Sequence, residues 1–119
     1  DHRYLSKYVK DAASFCCPVL YSDTLMGVNF IPEYYIDITQ FFEAKMLAIL
    51  EHKSQNPKKF FQAIEILNGF RSAQCNSPIG NYAEAYRFDK SFPFSDIRTI
   101  LPPSPKYKPY YQNNSDSLI

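Results

Sequence analysis

Tryptophan is absent from this sequence, and glycine occurs only three times, at positions 27, 69 and 80. Glycines this far apart build no phosphate cradle, which needs several in one short loop so that backbone amides can approach the phosphates. The Gly-x-Ser-x-Gly turn of a serine hydrolase is missing too. No run approaches the roughly 18 to 20 uninterrupted apolar residues of a membrane-spanning helix. The opening Asp1-His-Arg-Tyr-Leu-Ser-Lys7 is polar, unlike a signal peptide, and lacks an initiator methionine. It reads as the inside of a helix, which predicts a processed product or a fragment. Cysteine is scarce: Cys16 and Cys17 are adjacent, a geometry that seldom closes a disulfide, and Cys75 stands alone. Such usage suits reduced thiols and a cytoplasmic location rather than a secreted disulfide framework. Charge of one sign is also lacking, with 13 basic and 12 acidic residues and a formal net charge of +1. No broad field steers the chain onto nucleic acid or an anionic membrane, and neither is expected as a partner.

What is present is apolar and aromatic: 45% of the 119 residues are hydrophobic, and ten Tyr and ten Phe supply every aromatic ring. That is enough to bury one core in one domain. Leu5, Val9, Ala12 and Cys16 fall at helical spacing with His2 one turn ahead of Leu5, and Pro18 ends this first helix. Residues 19–21 form a short β-type run, 22–32 read as a loop, and Glu33–Thr39 is a second strand rich in aromatic and β-branched residues. Asp37 with Gln40 resembles a capping box, Thr39 being the rival cap, for a helix through Phe42, Met46, Ile49 and Leu50 to about Lys53. Asn56-Pro57 opens a third helix with a favoured cap and a proline in the first turn. Its stripe is Phe60, Ala63, Ile64, Leu67 and Phe70. Residues 76–81 form a loop, and 82–88 alternate as a third strand. From Pro102 onward four prolines predict an extended tail over 102–119. Helices alternating with three short strands predict an α/β layer structure, and helix faces this apolar call for a larger sheet than three strands.

Several local signatures occur in order. Asp1-His2 opens an amphipathic helix ending in Asp11-Ala-Ala13. Tyr21-Ser-Asp-Thr-Leu-Met-Gly27, Phe30-Ile-Pro32 and Tyr35-Ile-Asp-Ile-Thr39 follow, then Lys45, Ala48 and His52-Lys-Ser-Gln55, and finally Arg71-Ser-Ala-Gln74 and Tyr82-Ala-Glu-Ala-Tyr86. Together, over roughly residues 1 to 88, they resemble the LmbE/PIG-L family of zinc-dependent deacetylases, which remove acetyl groups from N-acetylglucosamine conjugates. The resemblance implies the C-terminal part of a Rossmann-like three-layer α/β/α fold over 1–101, followed by the tail. The family's Ala-His-Pro-Asp-Asp-Glu signature, which brings two metal ligands and the general base, is not in this sequence, nor is the first His of its His-Pro-Asp-His motif.

What the resemblance implies for single residues is specific. His2 corresponds to a zinc ligand in a three-ligand site whose open position holds water. Asp1 would orient a ligand histidine, or be a solvated terminal charge. Tyr82 would contact substrate or polarise the carbonyl as an oxyanion-type donor, the alternative being a half-buried strand tyrosine. Glu84, two residues along the same strand face, is expected to pair with Arg71 as a structural ion pair. Asn29 and Asp23, on the loop between the first two strands, would line a sugar pocket. His52 falls near a helix end and is read as structural. The Lys106–Tyr111 segment mixes two lysines with tyrosines but carries too few charges for nucleic acid. The expected activity is deacetylation of an amino-sugar conjugate with Zn2+ as cofactor. The N-terminal part of the same protein or another chain would complete the metal site, and a homo-oligomer is a further option. The isolated chain is expected to be inactive. The rival is a non-catalytic structural or interaction module of the same fold.

Overall fold

The computed structural model describes residues 2–13 and 16–89; Asp1 and the whole 102–119 tail lie outside the described residues. The architecture is mixed α/β, with helices α1 (His2–Ala13), α2 (Phe42–Leu50) and α3 (Pro57–Gln74) and strands β1 (Leu20–Ser22), β2 (Tyr34–Asp37) and β3 (Ala83–Phe88). The strands form one sheet in the order β1-β3-β2, and both pairings are antiparallel. The last strand in sequence is therefore the central one. Its Ala83 and Ala85 are the most deeply buried residues of the sheet, Ala85 being 1% exposed. Small side chains there let α3, which packs on β3, approach the sheet closely. Phe30, Phe42, Met46, Leu67 and Ala73 complete the apolar core. Among the described residues no helix is long and apolar enough to cross a membrane.

Local chemistry shifts several expected boundaries. The second strand stops at Asp37 because the Asp37 carboxylate accepts the Thr39 N–H at 2.9 Å, an Asx turn that competes with the strand ladder. Asp37 is thus no capping-box partner of Gln40: a 3-10 turn at Thr39–Phe41 leads into α2 without a side-chain cap. Asn56 does not cap α3 with its side chain either. It takes a left-handed conformation at φ 50°, which asparagine tolerates, and Pro57 begins the helix as expected. The inward face of α3 departs from the expected stripe. Phe70 is 55% exposed, while Asn68, Arg71 and Ser72 are buried beside Leu67. No residue of α1 is buried among the described residues, its apolar Leu5 and Val9 included. It is tied to the sheet through Asp89, which pairs with Lys10 at 3.4 Å and accepts the Tyr21 hydroxyl at 2.8 Å.

The loop after β1 folds into a tight turn at Leu25–Gly27, closed by the Gly27 N–H on Thr24 O at 2.9 Å and by the Thr24 hydroxyl on Val28 O at 2.7 Å. Gly27 has φ +69°, and a β-carbon there would sit 2.7 Å from Arg71 Nη2. Gly69, in the body of α3, has nothing within 4 Å of the corresponding point. The two glycines therefore behave oppositely in urea unfolding. Gly27→Ala destabilises by on the order of 1–3 kcal/mol through strain and displacement of the guanidinium, whereas Gly69→Ala stabilises by about 0.5–1 kcal/mol by raising helix propensity.

Candidate functional site

Two polar networks pack against β3, one turn apart on α3, each centred on a buried residue of that helix, Arg71 or Asn68. In the first, Arg71 Nε donates to Asp23 Oδ2 at 2.6 Å and Arg71 Nη1 donates to Gln74 Oε1 at 2.8 Å. The pair is almost dry, its side chains 5% and 11% exposed. Tyr35 adds a long hydroxyl contact to Gln74 Oε1 at 3.5 Å. In the second, Lys45 Nζ donates to Glu84 Oε1 at 2.7 Å and to Asn68 Oδ1 at 2.8 Å. Asn68 Nδ2 in turn donates to Ala83 O at 2.7 Å, and the Tyr86 hydroxyl donates to Glu84 Oε2.

The ion pairs correct one expectation. Glu84 does not pair with Arg71: its partner is Lys45, and Arg71 pairs with Asp23. Arg71 lies one helical turn beyond Asn68, where α3 passes the end of β1 rather than the middle of β3. Asp23, expected as a sugar contact, is accordingly tied up as a counter-ion through Oδ2. Its Oδ1 is buried and accepts no hydrogen bond among the described residues.

Between these networks lies a cleft of about 370 Å³. Ser22, Asp23, Thr24 and Leu25 form one wall, Lys45, Ile64, Leu67 and Asn68 the helical side, and Glu84, Ala85 and Tyr86 the strand side. Lys45 reaches it because it shares an α2 face with Phe42, Met46 and Ile49, the first two of them buried. Asn68 follows Ile64 by four residues and Arg71 follows Leu67 by four, so both polar groups sit on the inward face of α3. Lys45, Asn68 and Tyr86 line the cleft, and composition and motif reading passed them over as site members. For Lys45 and Asn68 the signal was a polar residue placed on an otherwise apolar helical stripe.

The other expected site residues lie elsewhere. Tyr82 precedes β3, and its ring stacks on Phe42 with centroids 3.5 Å apart and planes at 6°. Its N–H donates to Thr39 Oγ1 at 3.0 Å, so it anchors the start of α2 and does not line the cleft. Asn29 is exposed at φ 56° in the turn before Phe30, outside the cleft lining. His2 is exposed on α1, and Asp1 lies outside the described residues. Among the described residues no three His, Cys, Asp or Glu side chains converge to hold a metal ion. A lone imidazole does not meet the three or four donors zinc requires, so the described residues alone do not fit that ion. No family model, curated protein or solved structure matches the chain.

Electrostatics in the cleft favour one protonation pattern. Burial alone would raise the Glu84 carboxyl, but hydrogen bonds from Lys45 and Tyr86 and the Lys45 charge outweigh it and hold the group below its ordinary value. Burial, followed by the hydrogen bond and charge of Glu84, pushes the Tyr86 phenol well up. Glu84 is therefore held as a carboxylate and Tyr86 as a neutral phenol, with Lys45 bonded to the carboxylate at 2.7 Å. A carboxyl lowered in the folded state stabilises the fold above its unfolded value and loses that contribution as pH falls through the folded value. Stability read by urea unfolding should thus decline as pH drops from about the ordinary value of 4.5, and Glu84→Gln should flatten that decline.

Proposed function

We propose that the chain is the C-terminal part of a zinc-dependent N-deacetylase of the LmbE/PIG-L type, with a Rossmann-like α/β/α architecture, acting in the cytoplasm on an N-acetylglucosamine-type conjugate. One observation carries the reading. The polar residues of the family-like motifs, Asp23, Lys45, Arg71, Gln74, Glu84 and Tyr86, span more than 60 positions in sequence yet gather into two adjacent networks around one cleft. Motif residues scattered at random over a fold would not share one site.

In this reading the chain contributes His2 as one metal ligand and the cleft as part of the substrate wall, while Tyr82 stacks on Phe42 outside that cleft. Zinc, when bound, would supply an acidified water for amide hydrolysis, and the remaining donors would come from polypeptide outside the described residues. The exposed Leu5 and Val9 face of α1 favours the second reading, a non-catalytic interaction module of the same fold.

Zinc content and acetate release separate the two. In a protein joining this chain to a segment with Ala-His-Pro-Asp-Asp-Glu, His2→Ala should lower kcat/KM on an N-acetylglucosamine conjugate by at least about a hundredfold and reduce bound zinc. The 119-residue chain alone should release no acetate. Unchanged zinc and activity in His2→Ala would overturn the reading.

A further inference from the structure

Away from the cleft and its networks, one surface joins exposed apolar side chains to a fixed charge. Residues 24–32 include no charged side chain, yet Met26, Val28 and Ile31 are 48%, 62% and 77% exposed. The loop that carries them is held in place. Phe30 anchors it in the core, its N–H donates to Gly27 O at 3.2 Å, and the Thr24 hydroxyl closes on Val28 O. Met26 and Asn29 both take left-handed backbone, at φ 59° and 56°. For methionine that conformation is strained, and here it goes with a side chain left half in water.

Beside this loop stands Arg87, exposed on β3 and paired in register with Tyr21. Its guanidinium carbon lies 5.5 Å from the centre of the Tyr21 ring and 5.7 Å from that of Phe30. Both rings are themselves fixed, Phe30 by burial and Tyr21 by its hydroxyl bond to Asp89. The aromatic flanks thus position the guanidinium. It makes no hydrogen bond or ion pair among the described residues. The carboxylates of Asp89 and Glu33 are engaged elsewhere, the first by Lys10 and Tyr21 and the second by the Phe88 N–H.

A pre-positioned arginine among apolar side chains has the make-up of an interface centre, where arginine and methionine are enriched and little remains to be ordered on binding. Guanidinium donors without an acceptor call for a carboxylate, which takes two of them side by side. A second copy of the chain does not supply one, since a two-fold contact centred here would set Arg87 against Arg87. An anionic bilayer is a poor match as well: the loop brings no lysine or arginine, and surface binding draws on a basic cluster.

We propose that Met26, Val28, Ile31 and Arg87 form a docking surface for a protein segment that presents one carboxylate among apolar side chains. The inference goes beyond the deacetylase reading and does not rest on it, because neither His2, a metal nor the cleft takes part.

A phage-displayed library of short random peptides, selected on the full 119-residue chain, tests it. The recovered sequences should share one Asp or Glu flanked by apolar residues. The most enriched, made as a capped peptide, should shift the amide NMR signals of Val28, Ile31 and Arg87 saturably and leave those of Lys45 and Asn68 in place. Arg87→Gln in the chain, or the amide in place of the peptide's acid, should each weaken binding at least about tenfold. The two changes together should weaken it no more than either alone, because they remove one shared contact. Ile31→Ser should weaken binding by a similar factor. Both chain variants alter exposed side chains and should keep the urea midpoint. Recovery of no binding peptide, peptides without a shared acid, or equal binding by Arg87→Gln overturns the proposal. So does self-association of the chain, or its flotation with phosphatidylserine vesicles, that Ile31→Ser abolishes. Zinc content and acetate release are separate readouts, so failure here leaves the deacetylase reading untouched.

Discussion

A buried guanidinium organises this small domain. Arg71 sits on the inward face of α3 with almost no exposure, and an arginine in that position must be fully partnered because its charge cannot be shed at any accessible pH. Asp23 and Gln74 meet that demand from opposite ends, one from the loop after β1 and one from the next turn of the same helix. The loop can press onto the guanidinium only because position 27 lacks a β-carbon. Ion pair, tight turn and left-handed glycine are one device. It fixes β1 and its loop against α3, and so places Ser22, Asp23 and Thr24 opposite Lys45 and Asn68 across the cleft.

Sequence periodicity located the elements well. The strand at 83–88 and the helix opening at Pro57 follow from alternation and from proline chemistry. Side-chain competition for backbone groups moved the boundaries: Asp37 captures the Thr39 amide and ends its strand early. The strand order was not legible. Placing the last strand between the first two is a long-range choice that no local pattern encodes, although the small, deeply buried Ala83 and Ala85 suit the central position.

The site was legible by residue type and illegible by partner. Asp23, Arg71 and Glu84 stand out in the sequence as polar residues within ordered motifs, and the structure ties each of them into an ion pair. The pairing of Glu84 with Arg71 was wrong because ion pairs spanning 48 and 39 residues depend on which helical turn passes which strand. Lys45 and Asn68 left a weak signal, polar side chains on apolar stripes, which hydrophobic stripe counting reads as interruptions. Phe70 shows the same error in reverse: its apolar character suggested burial, yet the inward place belongs to Arg71, whose guanidinium carbon lies 5.7 Å from the centre of the Phe70 ring.

The account stands or falls on whether Arg71 and Asp23 act as a unit. A double-mutant cycle in urea with Arg71→Met, Asp23→Asn and the pair together measures this directly. Either single change strands a buried polar partner and should cost about 3–5 kcal/mol, while the double variant should cost less than the sum by at least about 1 kcal/mol. Strictly additive losses would show that the two side chains are neighbours without being coupled, and the proposed keystone of the fold would be refuted.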